Sequence, residues 1–426
     1  MFKNERKKIS GNQRVGSKFS LLRGRQWSIF VCVLLATLVV FTLSAAAASP
    51  PQPTYESPTT VIVGGGVAEW DLATDFFADM YRAGDPTKDV LAKLYLRYDC
   101  LDGTLYALVL TEPGVVIDDR KIEEHYINID GGSPEVDDQS GNDGTPPDFD
   151  FYTVSGVKVG WEASLFLAEG TYSLNAHTQV DDDETAAVAQ RNIPLVISCP
   201  RDWGDLPDPL YPTLSANNGP RHVIGDLYLG ACIDAEADGQ PNSAATGDDN
   251  GASGYTVGSC ATVNDDEDGV TPASPWTNGP NGGAVTVTAN QSGYLCAWFD
   301  FGSASGSAPD GVFDTFVSQP VSAGGQSVPF DIPAGTFESG PEFVTVYARF
   351  RLFESDPGCT LASGFTGEAK NGEVEDYRFE FRPTAVSLQS VVAQTTSGDG
   401  LWILVSLALL VGMGTFALLR RRQAPA

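Results

Sequence analysis

Short runs of alternating apolar and polar residues, each ended by a glycine or proline turn, recur along most of this chain. The clearest pair is LAKLYLRYDC and LYALVLTEPG, which lie on either side of Leu101, Asp102 and Gly103. An Asp-Gly step between two alternating runs is a strong signal for a β-hairpin. With 45 glycines and 27 prolines in 426 residues, the chain has the turns that many short strands need. The sequence therefore predicts an all-β fold.

The predicted strands fall into two β-sandwich-like domains. Residues 61–200 hold the hairpin and further runs such as VGWEASLFLAEGTYSLNAHTQV. Residues 201–383 hold AVTVTAN, GYLCAWFDF, QSVPFDIP and PEFVTVYARFRLFE, again between glycine and proline turns. A Pro-rich stretch at 49–60 is predicted to be an extended spacer before the first domain, and residues 384–400 a linker after the second.

Both ends of the chain predict export and anchoring. Eight basic residues precede an apolar run from Trp27 to Leu43 and small residues up to Ala48. This is the layout of a secretory signal peptide at 1–48, the alternative being an uncleaved N-terminal anchor. A second apolar run, Leu401 to Leu419, carries no charge and precedes three arginines in the tail 420–426. It predicts a transmembrane helix with a basic cytoplasmic end and the domains on the cell surface.

The anchor has one alternative. Small polar residues, an apolar helix and terminal arginines also resemble a sorting tail that a transpeptidase cleaves, although no LPxTG precedes the helix. A permanent anchor and a processed tail both put the domains outside the membrane, so this choice does not change the predicted location.

Charge and cysteine content agree with export. Without the leader's eight basic and one acidic residues and the tail's three arginines, the chain keeps 54 acidic and 15 basic residues. Such a surface repels nucleic acid and anionic lipid and attracts cations, although an adaptation of solubility gives the same excess. Six cysteines in the exported part, with no CxxC spacing, predict three disulfides. The predicted pairs are Cys100 with Cys199, Cys232 with Cys260, and Cys296 with Cys359.

Two acidic loops place oxygen-bearing side chains at alternate positions and a glycine after the last of them. These residues are Asp234, Glu236 and Asp238 before Gly239, and Asn264, Asp266 and Asp268 before Gly269. Positions 1, 3, 5 and 6 of an EF-hand calcium loop have this pattern. The glutamate expected at position 12 is missing, since Ala245 and Pro275 stand there. The loops predict calcium sites completed by other ligands, the alternative being solvated turns.

Further acidic residues are candidates for those ligands. Asp248 and Asp249 lie between the two loops, which a Cys232–Cys260 bridge would draw together. A third acidic site has carboxylates around a Gly/Ser/Ala insertion, and calcium binding and a plain hairpin tip are both open for it. Its residues are Asp300, Asp310 and Asp314.

Several ordered motifs span residues 202–381. They are DWGDLPDPLYPTLSANNGPRHVIGDLYLGACIDAEADGQPNSAATGDD, DDEDGV, AWFDF, DGVFD, YARFRL and NGEVEDYRFEF. In this order they resemble the GEVED domain family of bacterial secreted and surface proteins. The resemblance implies a β-sandwich-like extracellular module with acidic loops suspected of holding calcium, and it brings no catalytic residue with it.

The GEVED sequence itself has a physical meaning in a strand. Glu373 and Glu375 share one face of such a strand, whereas Asp376 lies on the other. Two like charges on one face are unfavourable unless a partner sits opposite. One interpretation is a salt-bridge ladder with Arg349 and Arg351 of YARFRLF, and the other is a metal site.

The first domain carries a different hypothesis. Its opening, GVAEWDLATDFFADMYRAGD, resembles extracellular carbohydrate-binding sandwiches. Aromatic side chains there could stack on sugar rings or belong to the core. The candidates are Trp70, Trp161, Tyr152 and Tyr172. A long acidic loop at 128–151 is predicted either to bind calcium or to be disordered.

Catalytic motifs are absent from the sequence. The three histidines, His125, His177 and His222, lie in unrelated contexts, and no GxSxG, HExxH or phosphate-binding loop occurs. The sequence therefore predicts a non-enzymatic, membrane-tethered structural or adhesin-like protein of the bacterial surface, stabilised by calcium and disulfides. Its expected partners are glycans or proteins of the cell envelope or exterior. The alternatives are a carbohydrate-binding protein and a carboxylate-based glycoside hydrolase.

Overall fold

Strands make up nearly all of the regular structure. The computed structural model describes residues 52–180, 184–188, 193–247, 254–260, 266–273, 275–302, 308–337 and 344–381. Within these ranges the only helical segments are two 3-10 turns, Val67–Glu69 and Ser215–Asn217, so the predicted all-β class is confirmed. The predicted leader, linker, membrane helix and tail lie outside the described residues. Among the residues described, no helix has the length and apolarity needed to cross a membrane.

Eleven strands form one hydrogen-bonded sheet between Thr54 and Ile197. They are β1 (Thr54–Tyr55), β2 (Phe76–Arg82), β3 (Val90–Asp99), β4 (Thr104–Thr111), β5 (His125–Ile129), β6 (Pro134–Asp137), β7 (Asp148–Val154), β8 (Val157–Phe166), β9 (Gly170–Val180), β10 (Glu184–Val188) and β11 (Ile193–Ile197). The order is β6-β5-β9-β10-β2-β3-β4-β8-β7, with β1 beside β3 and β11 beside β9. Only β1 pairs in parallel.

The predicted hairpin is the centre of this sheet. Strands β3 and β4 pair from Asp99 with Thr104 to Ala92 with Thr111. Gly103 has φ 79°, a conformation that favours glycine. Asp102 accepts a hydrogen bond from the Thr104 N–H at 3.0 Å, as aspartate does in tight turns.

One core joins the two ends of the sheet. Leu96 of β3, Val109 of β4 and Trp161 of β8 share a buried cluster with Ile127 of β5 and Leu174 of β9. Because β5 and β9 lie far from β4 and β8 in the strand order, the sheet must fold back over itself to bury these side chains together. The result is a two-layered arrangement with its core between the layers.

The segment predicted as a spacer, 49–60, contributes to this sheet from Thr54 onward. Thr54 and Tyr55 pair with Arg97 and Tyr98, and the Thr59 N–H donates to Asp99 at 2.8 Å. This part of the Pro-rich stretch is thus packed along β3, because its backbone finds partners there.

Twelve further strands form four smaller sheets between Arg201 and Phe381. They are β12 (Arg201–Trp203), β13 (Arg221–Val223), β14 (Cys232–Asp234), β15 (Thr256–Gly258), β16 (Val270–Pro272), β17 (Gly279–Ala289), β18 (Gly293–Asp300), β19 (Thr315–Val321), β20 (Gly324–Ile332), β21 (Val344–Phe353), β22 (Glu368–Lys370) and β23 (Gly372–Phe381). The sheets have the orders β12-β13-β22, β14-β15, β16-β17-β20 and β19-β18-β21-β23.

The four-stranded sheet is covered on both faces. On one face Phe299 and Phe350 pack with Phe330 of β20, and the rings of Phe299 and Phe330 stack 4.0 Å apart. On the other face Trp298 and Tyr347 belong to a second cluster with loop residues around Tyr211. Polar side chains on the central strands are therefore cut off from water and need partners within the protein.

All three predicted disulfides are confirmed. Cys100 bonds Cys199 across the first sheet, Cys232 bonds Cys260 at the β14-β15 ribbon, and Cys296 of β18 bonds Cys359. Each bridge joins cysteines that follow one another in the sequence after Cys32, which is the order the sequence predicted.

Candidate metal centre

Three of the predicted ligands meet in the structure. One carboxylate oxygen each from Asp234, Glu236 and Asp266 lies within 4.8 Å of the other two. Asp234 and Asp266 are buried, and Glu236 is half-buried with its Oε1 atom shielded from solvent. The group thus concentrates three acidic side chains where water screens their repulsion poorly.

Backbone hydrogen bonds hold these side chains in place. The Asp234 N–H, at the end of β14, donates to Asp266 Oδ2 at 3.2 Å and so ties the two acidic loops together. Glu236 donates its own N–H to the Arg201 carbonyl at 2.8 Å, and its Oε2 accepts from the Trp203 N–H at 3.0 Å. The site is therefore built on strands β12 and β14 rather than on free loop tips.

The donor set determines which ion fits. All three side chains offer oxygen, which suits calcium or magnesium, whereas zinc prefers nitrogen and sulfur ligands. Calcium tolerates irregular geometry and takes six to eight oxygens, so backbone carbonyls and water can fill the remaining positions. A divalent cation here would offset the repulsion between the carboxylates.

The arrangement differs from two separate half EF-hands. Positions 1 and 3 of the first loop join position 3 of the second. Position 5 of each loop is not part of this group: Asp238 accepts from the Ser215 N–H at 2.6 Å, and Asp268 accepts from the Ala231 N–H at 2.9 Å. The other predicted ligands, Asn264, Asp248 and Asp249, lie outside the described residues.

The third acidic site is a hydrogen-bonded turn in the structure. Asp300 is buried and accepts from the Tyr211 hydroxyl at 2.6 Å and from the N–H groups of Gly302 and Gly311, both at 2.7 Å. Partial burial raises the pKa of Asp314, and the nearby Asp300 and Asp310 raise it further. The three carboxylates are thus neighbours, but the hydrogen bonds to Asp300 already account for its burial.

The salt-bridge ladder predicted for the GEVED strand is wrong for the two glutamates. In the β21-β23 register Arg349 lies opposite Asp376, whereas Glu375 lies opposite Phe350. Arg349 donates to both carboxylate oxygens of Asp376, at 2.8 and 2.7 Å, and neither side chain is exposed. The aspartate of the motif, on the other face of the strand, is therefore the partner of the arginine.

The second arginine of YARFRLF has no carboxylate partner among its described contacts. Arg351 donates to the carbonyls of Gly364 and Thr366 at 2.8 and 3.0 Å, and to His222 Nε2 at 3.1 Å. The pKa of Arg351 is lowered to about 9, mainly by burial and in part by the nearby charge of Arg349. Backbone carbonyls, and not the two glutamates, are thus the hydrogen-bond acceptors of Arg351.

The glutamates instead face the acidic loops. Glu375 Oε1 accepts from the Gly269 N–H at 2.7 Å, and Glu373 Oε2 accepts from the Leu229 N–H. Burial raises the pKa of both carboxyls well above the usual range. Asp266 raises both pKa values further, which makes it the link between the glutamates and the three-carboxylate group.

Two acidic side chains that the sequence did not single out complete the edge strand β23. Its outward N–H groups at Val374 and Asp376 have no neighbouring strand. Asp202 accepts from the first at 2.6 Å, and both oxygens of Glu267 accept from the second at 3.0 Å. Carboxylates thus take the place of a strand partner, which no local sequence signal reveals.

A cleft of about 1040 Å³ adjoins the candidate metal centre. Glu236 lines it, together with aromatic and polar side chains from both sets of strands. These include Tyr55, Arg201, Trp203, Gln240 and Tyr255. The rings of Tyr55 and Tyr255 meet edge to face 6.4 Å apart. The cleft therefore offers flat apolar surfaces beside hydrogen-bonding groups.

Trp203 has an unusual environment in that cleft. Its ring is 5 % exposed, and the guanidinium of Arg221 lies 5.0 Å above it. Among the described residues its indole N–H finds no hydrogen-bond partner. A buried donor without a partner is costly, and because this N–H is shielded from solvent it is not presented to a molecule in the cleft.

Two of the aromatic residues proposed to stack on sugars are core residues. Trp161 is fully buried and stacks on Phe149 at 5.3 Å. Trp70 is buried as well and donates its indole N–H to Glu162 at 2.8 Å. Tyr152 and Tyr172 are half-buried. Of the two alternatives for Trp70 and Trp161, the structure therefore supports packing in the core.

The long acidic loop at 128–151 is ordered by its own carboxylates. Asp148 Oδ1 accepts from the N–H groups of Asp143 and Gly144 at 2.9 and 3.2 Å. Asp137 Oδ1 accepts from the Gln139 N–H at 3.0 Å. Such side-chain-to-backbone bonds order tight turns, and here the Asp148 carboxylate makes them while itself buried.

The histidines have local structural contacts. His125 Nδ1 lies 2.8 Å from the Thr178 hydroxyl, and His177 Nδ1 lies 2.7 Å from the Glu124 carbonyl. His222 accepts from Arg351, as described above, and burial lowers its pKa well below the usual value. Each ring thus serves the packing around it.

Comparison with known proteins identifies no relative. No protein-family model and no curated protein matches this chain. The function is therefore argued from the geometry of the carboxylate group and the cleft.

Proposed function

We propose that this chain is a structural or adhesin-like protein of the bacterial cell surface, tethered by its C-terminal helix and stabilised by calcium. The observation that carries the proposal is the convergence of Asp234, Glu236 and Asp266 to within 4.8 Å. Three disulfides favour an oxidising compartment outside the cytosol. The motifs of residues 202–381, which resemble the GEVED domain family, support the same location.

Electrostatics explain why an ion would matter here. Two like charges about 4 Å apart repel by about 4 kcal/mol at the effective dielectric of a protein surface. A bound divalent cation converts this repulsion into attraction. Because Asp266 lies 30 residues after Glu236 in the sequence, the complete site exists only in the folded protein, and an ion bound there must stabilise the fold.

Calcium is expected to raise the thermal unfolding midpoint of the protein with its disulfides formed. At a free calcium concentration 100 times the Kd, one site contributes about 2.7 kcal/mol, which corresponds to a rise of several degrees. Asp266→Asn should abolish most of this rise, since Asp266 joins the two loops. The measurement is calorimetry in calcium and in chelator.

The matched control is Glu135→Gln, which removes one exposed carboxylate far from the site in sequence. It should leave the calcium-dependent rise unchanged. An equal midpoint in calcium and in chelator for the unmodified protein would refute the calcium site.

A second candidate function, glycan binding, is favoured by the cleft. Sugar sites combine aromatic faces with a few hydrogen-bonding groups in a concave surface. Tyr55 and Tyr255 supply the aromatic part, and Gln240 and Arg201 supply polar groups. The glycan site proposed for residues 61–200 is thereby moved to the boundary with the following strands.

Tyr255→Ala is expected to weaken glycan binding about 5- to 10-fold, since it removes one aromatic face from the cleft. Tyr255 is half-buried. Binding of the full chain to a glycan array, followed by titration of the strongest glycan, measures the effect. Tyr152→Ala is the control, because Tyr152 is also half-buried but does not line the cleft. Equal binding by Tyr255→Ala and the unmodified protein, or no glycan bound at all, would remove this candidate.

A further inference from the structure

The two glutamates of the GEVED strand are buried without full compensation. Glu373 is 0 % exposed and Glu375 is 1 % exposed. Each has one oxygen bound by a backbone N–H, from Leu229 and Gly269. The other oxygens, Oε1 of Glu373 and Oε2 of Glu375, are buried and have no hydrogen-bond partner among the described residues.

Positive side chains do not neutralise this pair. Arg349 is held by Asp376 on the opposite face of the strand, and Arg351 points to carbonyls on that same opposite face. Within the described part of the chain, neither glutamate forms an ion pair. Both carboxylates therefore lie on the face of β23 that is opposite to Arg349 and Arg351.

Their surroundings are acidic instead. Besides burial, the pKa of Glu373 is raised by Glu375, Asp202 and Asp266. The pKa of Glu375 is raised by burial and then by Asp268 and Asp266, against the lowering effect of the Gly269 N–H and the Tyr377 hydroxyl. Up to five carboxyl groups thus share one buried region beside the group of Asp234 and Glu236.

The backbone around this region is shaped for close approach. A Cβ on Gly269 would lie 2.8 Å from Glu375 Oε1, and one on Gly230 would lie 1.5 Å from Asp268 Oδ1. Both positions therefore exclude any larger residue. The two glycines let the loops come down onto the carboxylates of β23.

Either a proton or a cation must neutralise the glutamates. An isolated buried carboxylate costs several kcal/mol. A proton neutralises one carboxyl at a time, and each buried O–H then needs an acceptor of its own. A hard divalent cation takes oxygen ligands, and Glu373 and Glu375 offer theirs from the same face of β23, two residues apart.

We propose that Glu373 and Glu375 bind a second divalent cation, near the one at Asp234, Glu236 and Asp266. This inference extends the proposed calcium site but has its own ligands on β23. The GEVED strand then has two separate roles. Asp376 forms the internal ion pair, and the glutamates bind the ion.

Counting bound ions tests the proposal. Isothermal titration of calcium into the full chain, with its disulfides formed and at neutral pH, should give two ions per chain. Glu373→Gln/Glu375→Gln should bind one ion, and so should Asp234→Asn/Glu236→Gln. Glu380→Gln, an exposed glutamate on the same strand, is the control and should still bind two.

The thermal unfolding midpoint gives a second test, because the effect of the double substitution should reverse between chelator and calcium. In chelator, Glu373→Gln/Glu375→Gln should have a higher unfolding midpoint than the unmodified protein, because it lacks two uncompensated charges. In excess calcium the order should reverse, because the variant lacks one ion. The single variant Glu375→Gln carries the same test if the double variant does not fold.

The outcomes separate the two proposals. One ion in the unmodified protein, or two ions in Glu373→Gln/Glu375→Gln, overturns the second site. Two ions in Asp234→Asn/Glu236→Gln, together with one in Glu373→Gln/Glu375→Gln, removes the first site and keeps the second. A variant that is less stable than the unmodified protein in both chelator and calcium also contradicts the second site.

Discussion

Asp376→Asn should lower the free energy of unfolding by about 3–5 kcal/mol, the usual cost of breaking a buried ion pair. Asp376 is fully buried, and Arg349 contacts both of its oxygens. Its Oδ2 also accepts from the N–H groups of Asp205 and Leu206 at 2.7 and 2.9 Å. The amide has one acceptor atom in place of two and no charge, so it leaves the buried guanidinium without its partner.

Urea denaturation in excess calcium measures this effect with the ion sites filled. Glu380→Gln is the matched control, since it breaks an exposed pair with Arg378 on the same strand and should cost under about 1 kcal/mol. A loss as small for Asp376→Asn would show that the buried pair contributes little. The double variant Arg349→Met/Asp376→Leu should be more stable than Asp376→Asn, because no buried charge is left unpaired.

The strand that contains this ion pair also shows what the sequence could predict. Alternation along YARFRLF and GEVEDYRFEF correctly separated the faces of β21 and β23, because side chains in any strand point alternately to either side. The disulfide pairs were likewise predictable, since the six cysteines after Cys32 pair in the order in which they follow one another. Both are properties of the chain itself, independent of what packs against it.

The register between strands was beyond the sequence. Whether Arg349 meets Asp376 or Glu375 depends on how β21 and β23 align and on which loops cover each face. Those loops, around Tyr211 and Gly269, come from distant parts of the chain. Local spacing carries no information about them, so the predicted ladder joined the correct strands through the wrong side chains.

The acidic loops illustrate the same limit at the metal centre. Their 1-3-5-6 spacing predicted ligands at position 5, yet Asp238 and Asp268 bond the N–H groups of Ser215 and Ala231. A backbone donor brought close by the fold competes with the ion for a carboxylate. The ligand type was predictable from the residues, whereas the ligand set required the packing of β12, β14 and β23.

Removal of the Cys100–Cys199 disulfide should lower the free energy of unfolding by about 4.7 kcal/mol, the chain-entropy value for a loop of about 100 residues. The bridge closes a sequence separation of 99 residues and joins the end of β3 to the chain just after β11. Cys100→Ala/Cys199→Ala, studied by urea denaturation, tests this value. Among the three bridges this one closes the longest loop, so its removal gives the unfolded chain the largest gain in conformational entropy.

The Cys232–Cys260 bridge is the informative comparison. Its separation of 28 residues predicts a smaller entropic loss, about 3.6 kcal/mol in the same relation. This bridge, however, holds the β14-β15 ribbon that ends at Asp234, so its removal should also weaken calcium binding. Cys100→Ala/Cys199→Ala should leave the calcium affinity unchanged. If the loss of stability in Cys232→Ala/Cys260→Ala were the same in calcium and in chelator as for Cys100→Ala/Cys199→Ala, the bridge at this ribbon would have no part in the metal centre.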